Sequence, residues 1–184
     1  MQRYLIILAI VGISSAAVLI TNGDFEEPLE TGWSQGSSGS GVMVIMRDTD
    51  YDPDPDYEVY VHKGDGTGSV RLFQTVVIPT TDLEFSVRAK LIVYGTSNQC
   101  WSGAGVCIFY LNASNGVLGC SKICRRTVAC PWQSNDSCHV VEAADTLWNN
   151  YAFNIDDELE NVPAVNASDV AKIQVSLLAQ CVDD

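Results

Sequence analysis

The run Asp48-Thr-Asp-Tyr-Asp-Pro-Asp-Pro-Asp-Tyr-Glu58 places an acid at every second position. Calcium takes roughly six to eight oxygen ligands, and alternating carboxylates in a turn supply several. The run is not an EF-hand. With Asp48 counted first, Pro53 stands where the sharp-turn glycine belongs and Val59 where the bidentate acid belongs. Its plainer reading is a solvated, self-repelling loop stiffened by Pro53 and Pro55.

Flat rings carry a second chemistry, because the C–H face of a pyranose packs on an aromatic while polar neighbours bond its hydroxyls. The candidates are Trp33, Tyr57, Tyr60, Trp101, Tyr110, Trp132 and Trp148. Tyr60 is out of phase with Tyr57, Val59 and Val61 and so faces the other side of its strand, while Trp101 and Trp132 lie in cysteine-flanked, loop-like surroundings. These three are the expected ligand face, whereas Trp33, Tyr151 and Phe153 read as core.

Thiols form the third group. Cys100, Cys107, Cys120, Cys124, Cys130 and Cys138 crowd one stretch, and Cys181 stands apart. None forms a C-x-x-C knuckle; Cys120 with Cys124, and Cys138 with the adjoining His139, leave a zinc cluster as a minor alternative. Behind a secretory leader the six read as disulfide partners, in at most three bonds, stapling an excursion over residues 100–138. The sequons at Asn112, Asn135 and Asn166 suit a glycosylated surface. Catalysis finds little support. His62 and His139 are the only neutral-pH bases, and there is no G-x-S-x-G elbow, no H-E-x-x-H and no phosphate loop. A carboxylate pair for glycoside hydrolysis stays open, since its geometry comes from the fold.

The elements that must position these groups begin with a leader. Arg3, an apolar run from Tyr4 through Ile13, and the small residues Ser14 to Ala17 give the order of a secretory signal peptide. Residues 1–17 are expected to be removed, with an uncleaved anchor over residues 4–20 as the alternative; a membrane partner follows only in that case. Removal takes Arg3 with it and moves the formal charge from -13 to -14. So acidic a surface repels phosphates and anionic headgroups, and no basic stripe is evident, which argues against nucleic acid and favours divalent cations and neutral ligands.

Residues 18–184 read as one domain of short strands. From Leu83 to Val93 apolar and polar residues alternate strictly, and the period of two returns around Tyr57–Val61, Tyr151–Ile155 and Ala171–Leu177. Val42–Met46, Ser69–Ile78 and Gly105–Asn112 are further strands, separated by turn clusters that include Gly32–Gly41 and Lys63–Gly68. Asp156–Asn161 offers one helical turn. The pattern is that of an all-β antiparallel sandwich or jelly roll.

Leu19-Ile-Thr-Asn-Gly-Asp-Phe-Glu-Glu-Pro, Trp33, Gly68-Ser-Val-Arg-Leu-Phe-Gln-Thr-Val-Val-Ile-Pro, Thr146-Leu-Trp-Asn-Asn-Tyr-Ala-Phe-Asn-Ile and Ala171-Lys-Ile-Gln-Val-Ser-Leu together carry a likeness. Over nearly all of the mature chain they resemble the galactose-binding-like jelly rolls, most of all the carbohydrate-binding modules of families 4, 16 and 22. The resemblance implies two antiparallel sheets, an aromatic sugar-binding face, and a structural calcium near the N-terminal strand, drawing on Asp24, Glu26 and Asp65. It implies a polysaccharide or glycan as partner and no catalysis, in a secreted or cell-surface protein.

Such modules end on a further strand with an aromatic and two acids, whereas this sequence stops at Leu178-Ala-Gln-Cys-Val-Asp-Asp. A final strand lacking here would leave a C-terminal edge open to a parent polypeptide or to self-assembly by strand donation. Three functions follow: a calcium-stabilised glycan-binding module, a structural subunit of an extracellular fibre or surface assembly, and a small glycosidase or lyase.

Overall fold

The computed structural model describes residues 5–9, 19–50, 56–95 and 100–183, the first of these as backbone alone. The strands are β1 (Leu5–Ala9), β2 (Ser34–Gly39), β3 (Val42–Asp48), β4 (Glu58–Gly64), β5 (Gly68–Val77) and β6 (Glu84–Ile92), then β7 (Trp101–Leu111), β8 (Val117–Arg126), β9 (Cys138–Glu142) and β10 (Trp148–Asn154). A single helical turn α1 (Ile155–Leu159) and a 3-10 turn (Ala167–Asp169) precede β11 (Lys172–Val182).

Two sheets form the expected all-β sandwich: five strands in the order β10-β6-β1-β4-β3 and six in the order β2-β5-β11-β7-β8-β9. The alternation in β6 buries Phe85, Val87, Ala89 and Leu91 and leaves Ser86, Arg88 and Lys90 half-buried on the other side. Across the core, β5 contributes Val70 and Leu72, β7 contributes Ala104, Val106, Ile108 and Tyr110, and β11 contributes Ile173, Val175, Leu177 and Ala179. Inner faces about 10 Å apart interdigitate in this way, and burial of each large apolar side chain stabilises the fold by roughly 1.5–3 kcal/mol.

The Asn22-Gly-Asp-Phe-Glu opening is a plug for one end of that core. Phe25 is fully buried at φ 59°, with its ring centroid 5.3 Å from that of Trp33. Trp33 Nε1 donates to Asn22 O at 2.9 Å, while Asn22 Oδ1 accepts from the Glu27 amide and its Nδ2 donates to the carbonyls of Glu27 and Pro28. The asparagine side chain thus satisfies the backbone of the bend that drives phenylalanine inward.

Several expectations require correction. The C-terminal strand is not a penultimate one beside an empty edge: β11 pairs along its length with both β5 and β7 and lies inside the six-stranded sheet. The cysteine-rich stretch is no excursion, since it supplies β7 and β8 and leads into β9. The sheets are not wholly antiparallel, because β9 joins β8 in parallel through the Cys120 and Cys138 pair. Ser34–Gly39, within a cluster of turn formers, pairs with β5 as an edge strand; small polar residues suffice there because one backbone edge and one face meet solvent.

One inner strand of the five-stranded sheet comes from the apolar start of the chain. β1 falls inside residues 1–17, the expected leader, and stands between β4 and β6 with antiparallel partners on both sides. Position 6 is opposite Val61 and Leu91, and position 8 is opposite Val59 and Ala89, all four of them buried.

Candidate functional site

Register carries residues of six strands into rows across the outer face of the larger sheet. One row runs Ser34, Phe73, Ser176, Cys107, Lys122, Val140. The next runs Gly36, Arg71, Leu178, Gly105, Cys124, Glu142, and a third runs Ser38, Ser69, Gln180, Gly103, Arg126. A groove of about 350 Å³ crosses β2, β5 and β11, with Phe109 of β7 at one end. That volume is within the range of small-ligand sites, roughly 300–1,000 Å³.

The lining is mostly hydroxyl and amide: Ser37, Ser38, Ser69, Ser176 and Gln180, with Leu178 and Phe109 as its apolar members. Ser38 and Ser69 share a hydrogen bond of 2.9 Å. Ser176 is fully buried, yet among the described residues its hydroxyl has no partner. An unpaired buried hydroxyl costs about 1–3 kcal/mol, so a polar atom arriving in the groove gains what the fold leaves unmade. Arg71 lies with its guanidinium carbon 4.6 Å from the centre of the Phe73 ring. Gly36 makes room for it, since a Cβ there would stand 3.3 Å from Arg71 Nε.

The far wall is built on Trp132. Residues 127–137 return across the sheet, and the indole sits so close to Gly103 that a Cβ would come within 2.8 Å of the ring. Trp132 packs with Cys124 and Cys130, and Trp101, Val140 and Leu178 pack around them. Leu178 therefore joins this cluster to the groove. Lys122 Nζ lies 4.9 Å from the centre of the Trp132 ring, and Arg126 pairs with Glu142 at 3.4 Å.

Of the three expected ligand aromatics, the structure brings Trp101 and Trp132 together beside the groove, with Trp132 only 7% exposed. Tyr60 is on the other sheet, stacked on His62 at 5.5 Å. The residues that line the groove escaped sequence reading because serine and glutamine carry no motif. The out-of-phase polar positions of β5 and β11, Ser69, Arg71, Ser176 and Gln180, were the one available signal.

The expected calcium ligands do not meet. Asp24 and Glu26 are at the Tyr57 end of the β3–β4 hairpin, where Glu26 Oε1 accepts from the Tyr57 amide at 3.2 Å. Asp65 follows the opposite end of β4, about six residues and some 20 Å along the strand. Each place already holds a side-chain cation. Arg47 donates to the carbonyls of Phe25 and Glu26, and the fully buried Lys63 donates to the carbonyls of Gly64, Asp65 and Gly66 at 2.9, 2.7 and 2.8 Å. This trio does not fit a calcium ion. Among the described residues no three His, Cys, Asp or Glu side chains converge on a metal position. In the acidic run, residues 51–55 lie outside the described residues.

One disulfide, Cys120–Cys138, ties β8 to β9. It uses both the Cys120 and the His139 neighbour of the zinc alternative. Cys107, Cys124 and Cys130 are buried free thiols, and Cys100 is half-buried and free. Burial pushes both Cys107 and Cys124 up to about 12. All three sequons sit in turns: Asn135 and Asn166 are exposed, whereas Asn112 is half-buried and its Oδ1 accepts from Ser114 and Gly116. Neither histidine lines the groove. His139 Nδ1 lies 2.6 Å from Glu158 Oε1 beneath α1, and Asn161 holds the other carboxylate oxygen at 3.2 Å.

No family model matches this chain, and no curated protein sequence matches it. Among solved structures, the enzymatically active domain of tailspike protein 4 of bacteriophage CBA120 superposes with a TM-score of 0.49 at 12% identity, covering 88% of this chain. The match spans 19% of the length of that tailspike chain, so this chain is similar to a small part of it.

Proposed function

We propose that this domain is a secreted, non-catalytic glycan-binding module that takes its ligand in the groove on the outer face of the six-stranded sheet. The observation that carries this reading is the buried, unpartnered hydroxyl of Ser176 in the groove floor, among serine and glutamine side chains. A sugar presents alternating hydroxyls and C–H faces. Ser37, Ser69 and Gln180 suit the former, and Phe109 and Leu178 suit the latter. The likeness to modules of families 4, 16 and 22 and the Cys120–Cys138 bond agree with an extracellular role.

Affinity electrophoresis of the secreted protein through gels containing single polysaccharides tests the reading. Retardation in at least one gel, lost on Ser176→Val with unchanged thermal stability, is the expected result. Unretarded migration across the whole panel refutes it.

A second reading, strand-mediated assembly, is favoured by β1. If residues 1–17 are removed, β4 and β6 lose their shared partner, and a strand from another chain would restore both ladders. Concentration-dependent oligomers of the leader-free protein support this reading; monomers at every concentration exclude it.

A further inference from the structure

We infer that the glycan taken by this groove is anionic, bearing carboxylate or sulfate groups, and that Arg71 pairs with that charge; the inference rests on the glycan-binding reading above. The chain has 23 acidic and 10 basic residues, so a basic side chain ordinarily has carboxylates close by. The six-stranded sheet departs from that average. Its strands hold Arg71, Lys122, Arg125, Arg126 and Lys172 but only one acid, Glu142. Glu142 is engaged by Arg126 at the far edge. Arg125 donates to the Ala143 carbonyl, Arg126 pairs with Glu142 and Lys172 donates to Ala113 and Asn115, so these cations form no continuous stripe and Arg71 stands apart from them.

Arg71 is the charged member of the groove lining. Among the described residues it has neither an ion pair nor a hydrogen bond; its one contact of note is the face of Phe73. Its row neighbours are Gly36 and Leu178, so no carboxylate of the sheet reaches it. A ring beneath the guanidinium orients its plane while leaving the N–H groups free, the arrangement suited to bidentate capture of a planar carboxylate or a sulfate. Ser38 and Ser69 flank it with hydroxyls, and the unpartnered Ser176 lies one strand away. A groove with one free arginine and several hydroxyls matches a sugar acid better than a neutral sugar, and it is too narrow in charge for a nucleic acid, which recruits many cations.

The test uses the full secreted chain and isothermal titration with four probes: polygalacturonate, its fully methyl-esterified form, a sulfated galactan, and poly(U) RNA. Binding of polygalacturonate or the sulfated galactan at least tenfold tighter than the methyl ester, weakened as salt rises, is the expected result. Arg71→Gln removes the preference for the charged glycan, Arg71→Lys keeps part of it, and Lys90→Gln on the opposite sheet leaves it intact. Equal binding of acid and ester overturns the inference while the glycan reading stands. No binding to any of these or to a neutral panel overturns both. Arg71-dependent binding of poly(U) without either anionic glycan assigns the groove to nucleic acid and also overturns it.

Discussion

Replacing Lys63 by methionine should destabilise the domain by about 3 kcal/mol. The ammonium is fully buried and donates three bonds of 2.7–2.9 Å to the carbonyls of Gly64, Asp65 and Gly66, which form the turn from β4 into β5. Bonds to a charged donor contribute roughly 1.5–3 kcal/mol each, about 4.5–9 kcal/mol for the three. Against this stands a desolvation cost of several kcal/mol for a buried ammonium, which the variant no longer bears. The turn is exposed at Asp65, so its carbonyls regain some water in the variant, and methionine retains most of the apolar stem. About 3 kcal/mol remains.

The same turn ties down the end of β11. Gly66 N donates to Asp183 Oδ2 at 3.1 Å and Thr67 Oγ1 donates to Asp183 O at 2.8 Å, so its loosening spreads to the six-stranded sheet. For a domain of this size the loss corresponds to a fall in Tm of about 6–12 °C. Differential scanning calorimetry measures it directly. A change under about 0.5 kcal/mol would refute the reasoning, because it would mean that the three bonds do no more than offset the burial of the charge.

Three other outcomes follow from the structure. Converting both Cys120 and Cys138 to serine opens a loop of sequence separation 18 and should lower stability to denaturant by about 3 kcal/mol. Cys107 and Cys124, with thiols pushed up to about 12, hold almost no thiolate at pH 8; iodoacetamide should spare them in the native protein, label them only as the pH approaches 12, and label them fully in guanidinium, as peptide mass spectrometry will report. Gly103→Val drives a side chain into the Trp132 ring and should cost about 1–3 kcal/mol, with a red shift of tryptophan emission as the indole leaves its seat.

Much of the fold was legible because a pleated strand turns every second side chain inward, and that periodicity is written locally. Leu83–Val93 and Ala171–Leu177 each showed it, and they became β6 and β11. β7 is buried along nearly its whole length beneath the segment that carries Trp132, so Gly105–Asn112 was read as a strand from its continuous apolar run, and its start at Trp101 went unread. β2 hid its nature, since an edge strand of serine and glycine has little to bury.

Sequence alone determined the fold class and the core role of Trp33, because alternation and burial preference are written in neighbours close in the chain. Tertiary structure decided the rest. It set Arg71 beside Ser176 although 105 positions separate them, parted Asp65 from Asp24 and Glu26, and left the strands of the six-stranded sheet with Glu142 as their one acid. Register between distant strands fixes which side chains share a face, and that register is set by the packing of whole sheets rather than by any local pattern.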